Sequence, residues 1–182
     1  MIGWNRDKQR SLRSRLSELQ SELHRVQEEM VSLGSGEELP GMHALVHVGE
    51  YRALIPVDRV KEIVRLVAFA PLPSMPEYIR GSFVCRGQPV IAVDLASLLG
   101  VPREPDLDAH ILIVTATRPF GLIVDGVRSL VNAPVLVQGG GDLGSDIWRG
   151  SGLTVGLCRV GQEILPLLSL APIDRHLGEV LR

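Results

Sequence analysis

The sequence predicts a mainly β protein, an all-β sandwich or a pair of small barrels, preceded by one long helix. Two observations carry this. No Gly or Pro occurs between Asn5 and Leu33, and the apolar residues there keep a heptad spacing. From Met42 onward the helical period disappears. Roughly ten short β-prone runs follow, with a turn signal about every ten residues.

The chain has 182 residues and is 45% hydrophobic, enough to build one folded domain or two small ones. Nineteen Lys and Arg against 21 Asp and Glu leave a net charge of −2, too balanced for a chain-wide nucleic-acid footprint. No uncharged apolar run reaches the ~18 residues of a membrane span. The opening Met1-Ile2-Gly3-Trp4-Asn5-Arg6 lacks the apolar core of a signal peptide. Cys85 and Cys158 lie far apart and form no C-x-x-C. The expectation is a cytoplasmic protein with reduced thiols.

Residues 5–33 read as the helix and 34–41 as a Gly/Pro linker, because Gly34-Ser35-Gly36 and Pro40-Gly41 end the pattern. The helix seam is Leu12, Leu16, Leu19, Leu23, Val26, Met30 and Leu33, spaced 4, 3, 4, 3, 4, 3. Leu16, Leu23 and Met30 occupy a positions, and the other four occupy d. So narrow a seam suits pairing with another helix. An amphipathic helix lying on its own domain, and a membrane-surface helix anchored by Ile2 and Trp4, are the alternatives; the acidic second half disfavours the latter. Arg6, Lys8, Arg10, Arg13 and Arg15 fill the first half, and Glu18, Glu22, Glu28 and Glu29 dominate the second. A lone helix prefers the reverse polarity. An antiparallel pair that sets Leu16 across from Leu19 matches Lys8 with Glu29 and Arg15 with Glu22. Antiparallel self-association, or pairing with a foreign helix, is therefore expected.

In the body, 44–48 and 52–57 flank Gly49-Glu50-Tyr51 as a hairpin, and 60–68 is a further β-branched run. Pro71, Pro73 and Pro76 make a connecting loop. A second hairpin turns at Gly87-Gln88. Asp94 caps a short helical turn that Gly100 stops. The loop 103–108 reads as a seam between two halves. Strands at 110–115 and 121–124 flank Thr117-Arg118-Pro119, Asp125 forms a turn, and 127–137 is strand-prone. Gly139 to Ser145 is a glycine-rich loop. A third hairpin turns at Gly161-Gln162, and 174–182 reads as a terminal helix. Arg86-Gly87-Gln88-Pro89-Val90-Ile91 echoes Val160-Gly161-Gln162-Glu163-Ile164-Leu165, which suits two similar units.

An ordered set of segments spans residues 42–178. It runs Gly49-Glu50-Tyr51, Val60-Lys61-Glu62-Ile63, Pro76-Glu77-Tyr78-Ile79-Arg80-Gly81, Cys85-Arg86-Gly87-Gln88-Pro89-Val90-Ile91-Ala92-Val93-Asp94-Leu95 and Val124-Asp125-Gly126-Val127. Together they resemble the CheW-like domain, the coupling module of bacterial chemosensory arrays. The resemblance implies two five-stranded SH3-like barrels around a shared apolar core, no catalysis and no cofactor. It implies that the protein links chemoreceptor tips to a CheA-type histidine kinase at arrays beneath the inner membrane. A receptor helical hairpin docks between the barrels, and the barrel ends meet the kinase. On matching positions it assigns partner binding to Val60, Glu62, Ile63, Arg86 and Gly87. The family usually carries Asn-Leu-Arg-Gly where this chain has Val84-Cys85-Arg86-Gly87. That departure, with the added helix, also admits an oligomeric CheW-like module that recruits a different protein.

Other chemistry finds weaker footing. His43 and His47 are spaced i, i+4, but on a strand their backbones stand roughly 13 Å apart, so no shared metal is expected. His24, His110 and His176 have no neighbouring Cys or His. Cys85 beside Arg86 could make a nucleophile, yet no His or Asn is placed to serve it, and a half-buried apolar role is the simpler reading. Gly139-Gly140-Gly141 lacks the phosphate-loop order, and Gly150-Ser151-Gly152 is not a nucleophile elbow.

Overall fold

The computed structural model describes residues 15–22, 36–101, 103–137 and 146–180. The chain divides into two compact units, residues 1–36 and 37–182. In the first unit, residues 15–22 are helical and every one of them is exposed. Leu16 and Leu19 belong to this stretch. Leu12, Leu23, Val26, Met30 and Leu33 lie outside the described residues, as does the glycine-rich loop at 139–145.

The second unit begins with β1 (Met42–Val48), β2 (Tyr51–Pro56), a 3-10 turn (Val57–Arg59) and β3 (Val60–Arg65). Then come β4 (Ile79–Cys85), β5 (Gln88–Asp94), α1 (Leu95–Leu98), β6 (His110–Val114) and β7 (Phe120–Val124). The rest is β8 (Gly126–Asn132), β9 (Val135–Leu136), α2 (Asp146–Gly150), β10 (Thr154–Val160), β11 (Glu163–Leu168) and α3 (Ala171–Val180). One sheet has six strands in the order β8-β1-β2-β11-β10-β9, the other five in the order β3-β6-β7-β5-β4.

Both sheets close on themselves. In the first, β8 pairs with β1 at one edge and β9 with β10 at the other. Only Ala133 and Pro134 separate β8 from β9, and Ala133 bends the chain with φ 46°. The bent β8–β9 segment therefore lines both edges of the sheet, which has six strands where the resemblance implies five. In the second sheet, the chain leaving β3 bonds the residue just before β6, Leu66 N to Ala109 O. It then exchanges two backbone bonds with β4, Ala70 N to Ser82 O at 2.7 Å and Ser82 N to Ala70 O at 2.8 Å. Closure removes the exposed sheet edges that would otherwise template aggregation.

The expected seam at 103–108 does not divide the chain. The first barrel takes β1 and β2 from the N-terminal side and β8 to β11 from the C-terminal side, with the whole second barrel inserted between them. Residues 37–39, read as linker, also belong to the body. Leu39 N bonds Pro134 O, and Leu136 N bonds Glu37 O.

Strand alternation builds three apolar clusters. Ile111 and Ile113 of β6 fill the second barrel with Phe83, Val90, Ala92 and Ile123. Leu112 and Val114 point the other way, into a large core shared with Phe120, Leu122 and Val124. From the first barrel, Ala44, Val46, Val48, Ala53 and Ile55 enter the same shared core. Leu54, Cys158, Leu165 and Leu167 fill that barrel's interior. Trp148, Ile173 and Leu177 bring α2 and α3 onto the shared core. Every residue of β7 is buried. Burying each Leu, Ile or Phe contributes about 1.5–3 kcal/mol.

Gly81 sits at the closure of the second barrel. Its φ is +137°, and a Cβ there would lie 2.4 Å from the Ala70 carbonyl oxygen. Gly81→Ala should lower stability by about 1–3 kcal/mol, read as an earlier denaturation midpoint. A midpoint equal to the wild type would show that the Ala70–Ser82 closure yields at no cost.

Candidate functional site

Arg86 and Gly87 form the two-residue turn between β4 and β5, with Cys85 paired to Gln88. Their φ values are 48° and 79°. Two successive positive φ values make the hairpin turn whose twist matches the strands. Gly87 adopts this freely. Arg86 is a side-chain-bearing residue in the left-handed region, a conformation that costs about 1 kcal/mol.

Its guanidinium is held from across the barrel mouth. Arg86 Nε donates to both Glu62 carboxylate oxygens at 2.9 Å, and Nη2 lies 2.9 Å from Oε2. Glu62 stands on β3 and Arg86 at the end of β4, the two edge strands of the five-stranded sheet. The Arg86 side chain is 74% exposed and that of Glu62 only 19%. The arginine therefore presents its outer face to solvent while its charge is anchored from beneath.

A bulge on β3 creates this geometry. Val60 pairs with Val114, but Glu62 pairs with Ile113, so Lys61 is an extra residue. The bulge shifts the side-chain phase. Val60 lies on the shared-core side with Val114, and Glu62 lies on the barrel-interior side with Ile113. Ile63 pairs with Leu112 and is 41% exposed. Of the five candidate residues, the structure brings Glu62, Arg86 and Gly87 together. Val60 packs against the shared core, and Ile63 stands on the face opposite Glu62. Val84, 72% exposed, adds an apolar side chain beside the turn.

The Cys85 thiol donates to Glu62 Oε1 at 3.6 Å. It borders a pocket of about 200 Å³ at the barrel mouth, floored by Val90, Ile113 and Pro119 and rimmed by Lys61, Glu62 and Arg86. The Arg86 hydrogen bond holds the Glu62 carboxyl below its ordinary value of 4.5, against the opposing effect of desolvation. Burial first, and the Glu62 carboxylate second, push the Cys85 thiol up. That is the opposite of an activated nucleophile. Burial also raises the Cys158 thiol.

A second charged group ties the two barrels together, and sequence reasoning placed its arginine in an undifferentiated polar loop. Arg103 Nη1 lies 2.7 Å from Asp125 Oδ1, and Nη2 lies 3.7 Å from Asp94 Oδ1. Asp94 is wholly buried and caps α1, accepting from Ala96 N at 3.0 Å and Ser97 Oγ at 3.1 Å. Asp125, expected only to form a turn, also accepts from Gly49 N. One arginine thus joins the β1–β2 turn, the β7–β8 junction and the start of α1. A loop arginine among prolines and acids carries no local signal of such a role.

His43 is buried on β1, and His47 borders an open groove with Asp125 and His110. Among the described residues, no group of three His, Cys, Asp or Glu side chains is arranged to hold a metal. No described helix is long and apolar enough to cross a membrane.

The family model of the CheW-like domain matches residues 43–175. The chain belongs to the CheW-like domain family. A relative is the probable chemotaxis protein CheW of Rhizobium etli, 27% identical over 105 residues, which cover 56% of this chain and 68% of the relative. The crystal structure of the scaffolding protein TtCheW from Thermoanaerobacter tengcongensis has a TM-score of 0.60 to this chain at 22% identity. The match covers 72% of this chain and 86% of that one. At that identity the likeness establishes the CheW-like fold. The β3 bulge and the β4–β5 turn both fall inside the matched region.

Two outcomes follow from these side chains. Glu62→Gln should cost stability at neutral pH. The difference from wild type should hold above the ordinary carboxyl value and shrink as pH falls through the depressed one, because the ion pair is lost on protonation. Melting temperatures measured from pH 7 to pH 3 test this, and a pH-independent difference would show that the charge on Glu62 is immaterial. Thiol titration at pH 7 should label Cys85 more slowly than a free thiol and Cys158 more slowly still. Rapid selective labelling of Cys85 would instead mark it as activated.

Proposed function

We propose that this protein is a non-catalytic adaptor that couples chemoreceptors to a CheA-type histidine kinase in a cytoplasmic chemosensory array. The observation that carries the reading is the Glu62–Arg86 pair at the mouth of the second barrel. It lies on positions to which the CheW resemblance assigns partner binding, inside a region the family model matches. The relatives support it by their names, one a chemotaxis protein and the other a scaffolding protein.

The mechanism is recognition. The body, residues 42–178, presents Glu62 and Ile63 along β3, and Arg86 with Gly87 at the hairpin tip, with the candidate Val60 turned toward the core. Ile63 contributes apolar contact, with Val60 supporting the strand from the core side. Arg86 sets orientation by charge, and Glu62 fixes its direction before the partner arrives, which lowers the ordering cost of binding. Individually weak contacts act through avidity when repeated in an array. The segment 5–33, of which residues 15–22 are described and helical, is the arm that docks or oligomerises the adaptor.

One observation favours a second reading. The exposed Val84 beside Arg86 is an apolar residue where the family usually has asparagine, which suits an oligomeric CheW-like module that recruits a different protein.

Arg86→Ala should weaken capture of a CheA-type kinase or a receptor tip by about tenfold while leaving a cooperative melt. Arg86→Asn, better suited to the turn, controls for backbone effects. Loss of binding in both variants with melts retained supports the reading. Wild-type binding in both would remove Arg86 from the interface. A wild-type chain that captures neither partner would favour the second reading.

A further inference from the structure

The coupling reading gives the helix at 15–22 an arm's role but does not say which surface it docks on. All eight of its residues face solvent, with Leu16 59% and Leu19 58% exposed. A helical segment owes most of its stability to packing one face, so a leucine pair held in water needs a covering surface.

The charges say which surface. Arg15 and Glu22 both occupy g positions, flanking the Leu16/Leu19 pair at opposite ends of the described helix. In an antiparallel pair with Leu16 opposite Leu19 of a second copy, the twofold axis passes between Ser17 and Glu18. Arg15 of each chain then meets Glu22 of the other. In the sequence on either side the same charge pattern continues, with Lys8 and Glu29 also at g positions. In a parallel pair, Arg15 faces Gln20 and Glu22 faces Gln27, so neither charge gains a partner, while Lys8 meets Arg13.

We infer that residues 15–22 are the centre of an antiparallel helix pair between two copies of this chain, with Leu16 and Leu19 as the buried layer and Arg15 and Glu22 as the register-setting charges. A short apolar layer makes the association weak, concentration-dependent and sensitive to salt. Such a joint would link adaptors two by two. The inference stands apart from the coupling reading, because its test uses this chain alone.

The experiment is light-scattering mass of the full chain over a range of concentrations. The wild type should rise from one chain mass of 19.8 kDa toward twice that value. Arg15→Glu turns both symmetry-related contacts repulsive and should raise the dissociation constant about tenfold. Arg15→Glu with Glu22→Arg reinstates complementary charges and should return the dimer, which a variant defective only in helix formation would not do. A wild type that stays at one chain mass overturns the inference. So does a dimer indifferent to Arg15→Glu, or one that the double change fails to restore.

Discussion

The structure depends on strands that are buried on both faces. β6 and β7 lie in the middle of the second barrel's sheet, and their side chains alternate between its interior and the core shared with the first barrel. Ile111 and Ile113 cannot move without disturbing the barrel, and Leu112 and Val114 cannot move without disturbing its neighbour. A one-residue slip would exchange the two sets, so the register of these strands fixes both barrels at once. Close packing in the shared core joins the two barrels into one compact unit.

On that support the barrel mouth holds a charge whose direction is fixed by its neighbour. Arg86 sits in a backbone conformation that an arginine does not favour, and Glu62 holds its guanidinium from the opposite edge of the sheet. The local cost at the turn is offset by a charge-assisted, two-oxygen contact that also closes the barrel mouth. The pair is at once structural and presentational. The Glu62 side is shielded and the Arg86 side stands in water, so the cation keeps a fixed direction while its outer face is open to solvent.

Arg103 works at a different level. It lies between the carboxylates of Asp94 and Asp125, and Asp125 in turn receives the Gly49 N–H. Asp94, Arg103 and Asp125 come from the second-barrel stretch of the chain, and Gly49 brings the β1–β2 turn of the first barrel to them. Losing the arginine would leave Asp94, with no solvent exposure, without its positive neighbour. The connection between barrels therefore has an apolar part that provides most of the cohesion and a charged part that fixes turns against one another.

Much of this was legible in the residues. Alternating β-branched runs marked the strands. Gly49-Glu50 and Gly161-Gln162 marked two hairpin turns, and Asp94 announced its helix cap, because these are local preferences that a few neighbours settle. The resemblance to the CheW-like domain implied a mainly β fold of two sheets, which the structure has, although one sheet carries six strands and not five. Of the five residues it pointed to, Val60, Glu62, Ile63, Arg86 and Gly87, the structure brings Glu62, Arg86 and Gly87 together. The Gly-Gln echo was only approximate: the first hairpin turns at Arg86-Gly87 and the second at Gly161-Gln162, one position apart in the aligned strings. The sequence by itself determined which segments are strands, which residues turn the chain and where the charges of the helical arm lie. Tertiary structure alone decided that Glu62 faces the barrel mouth while Val60 faces the core, because a bulge at Lys61 overrides the period-two alternation that would put them on one side. It also decided that a loop arginine joins Asp94 to Asp125, and that the chain returns to its first barrel after completing its second. Those outcomes depend on contacts between residues far apart in the chain, where side-chain period and turn preference carry no information.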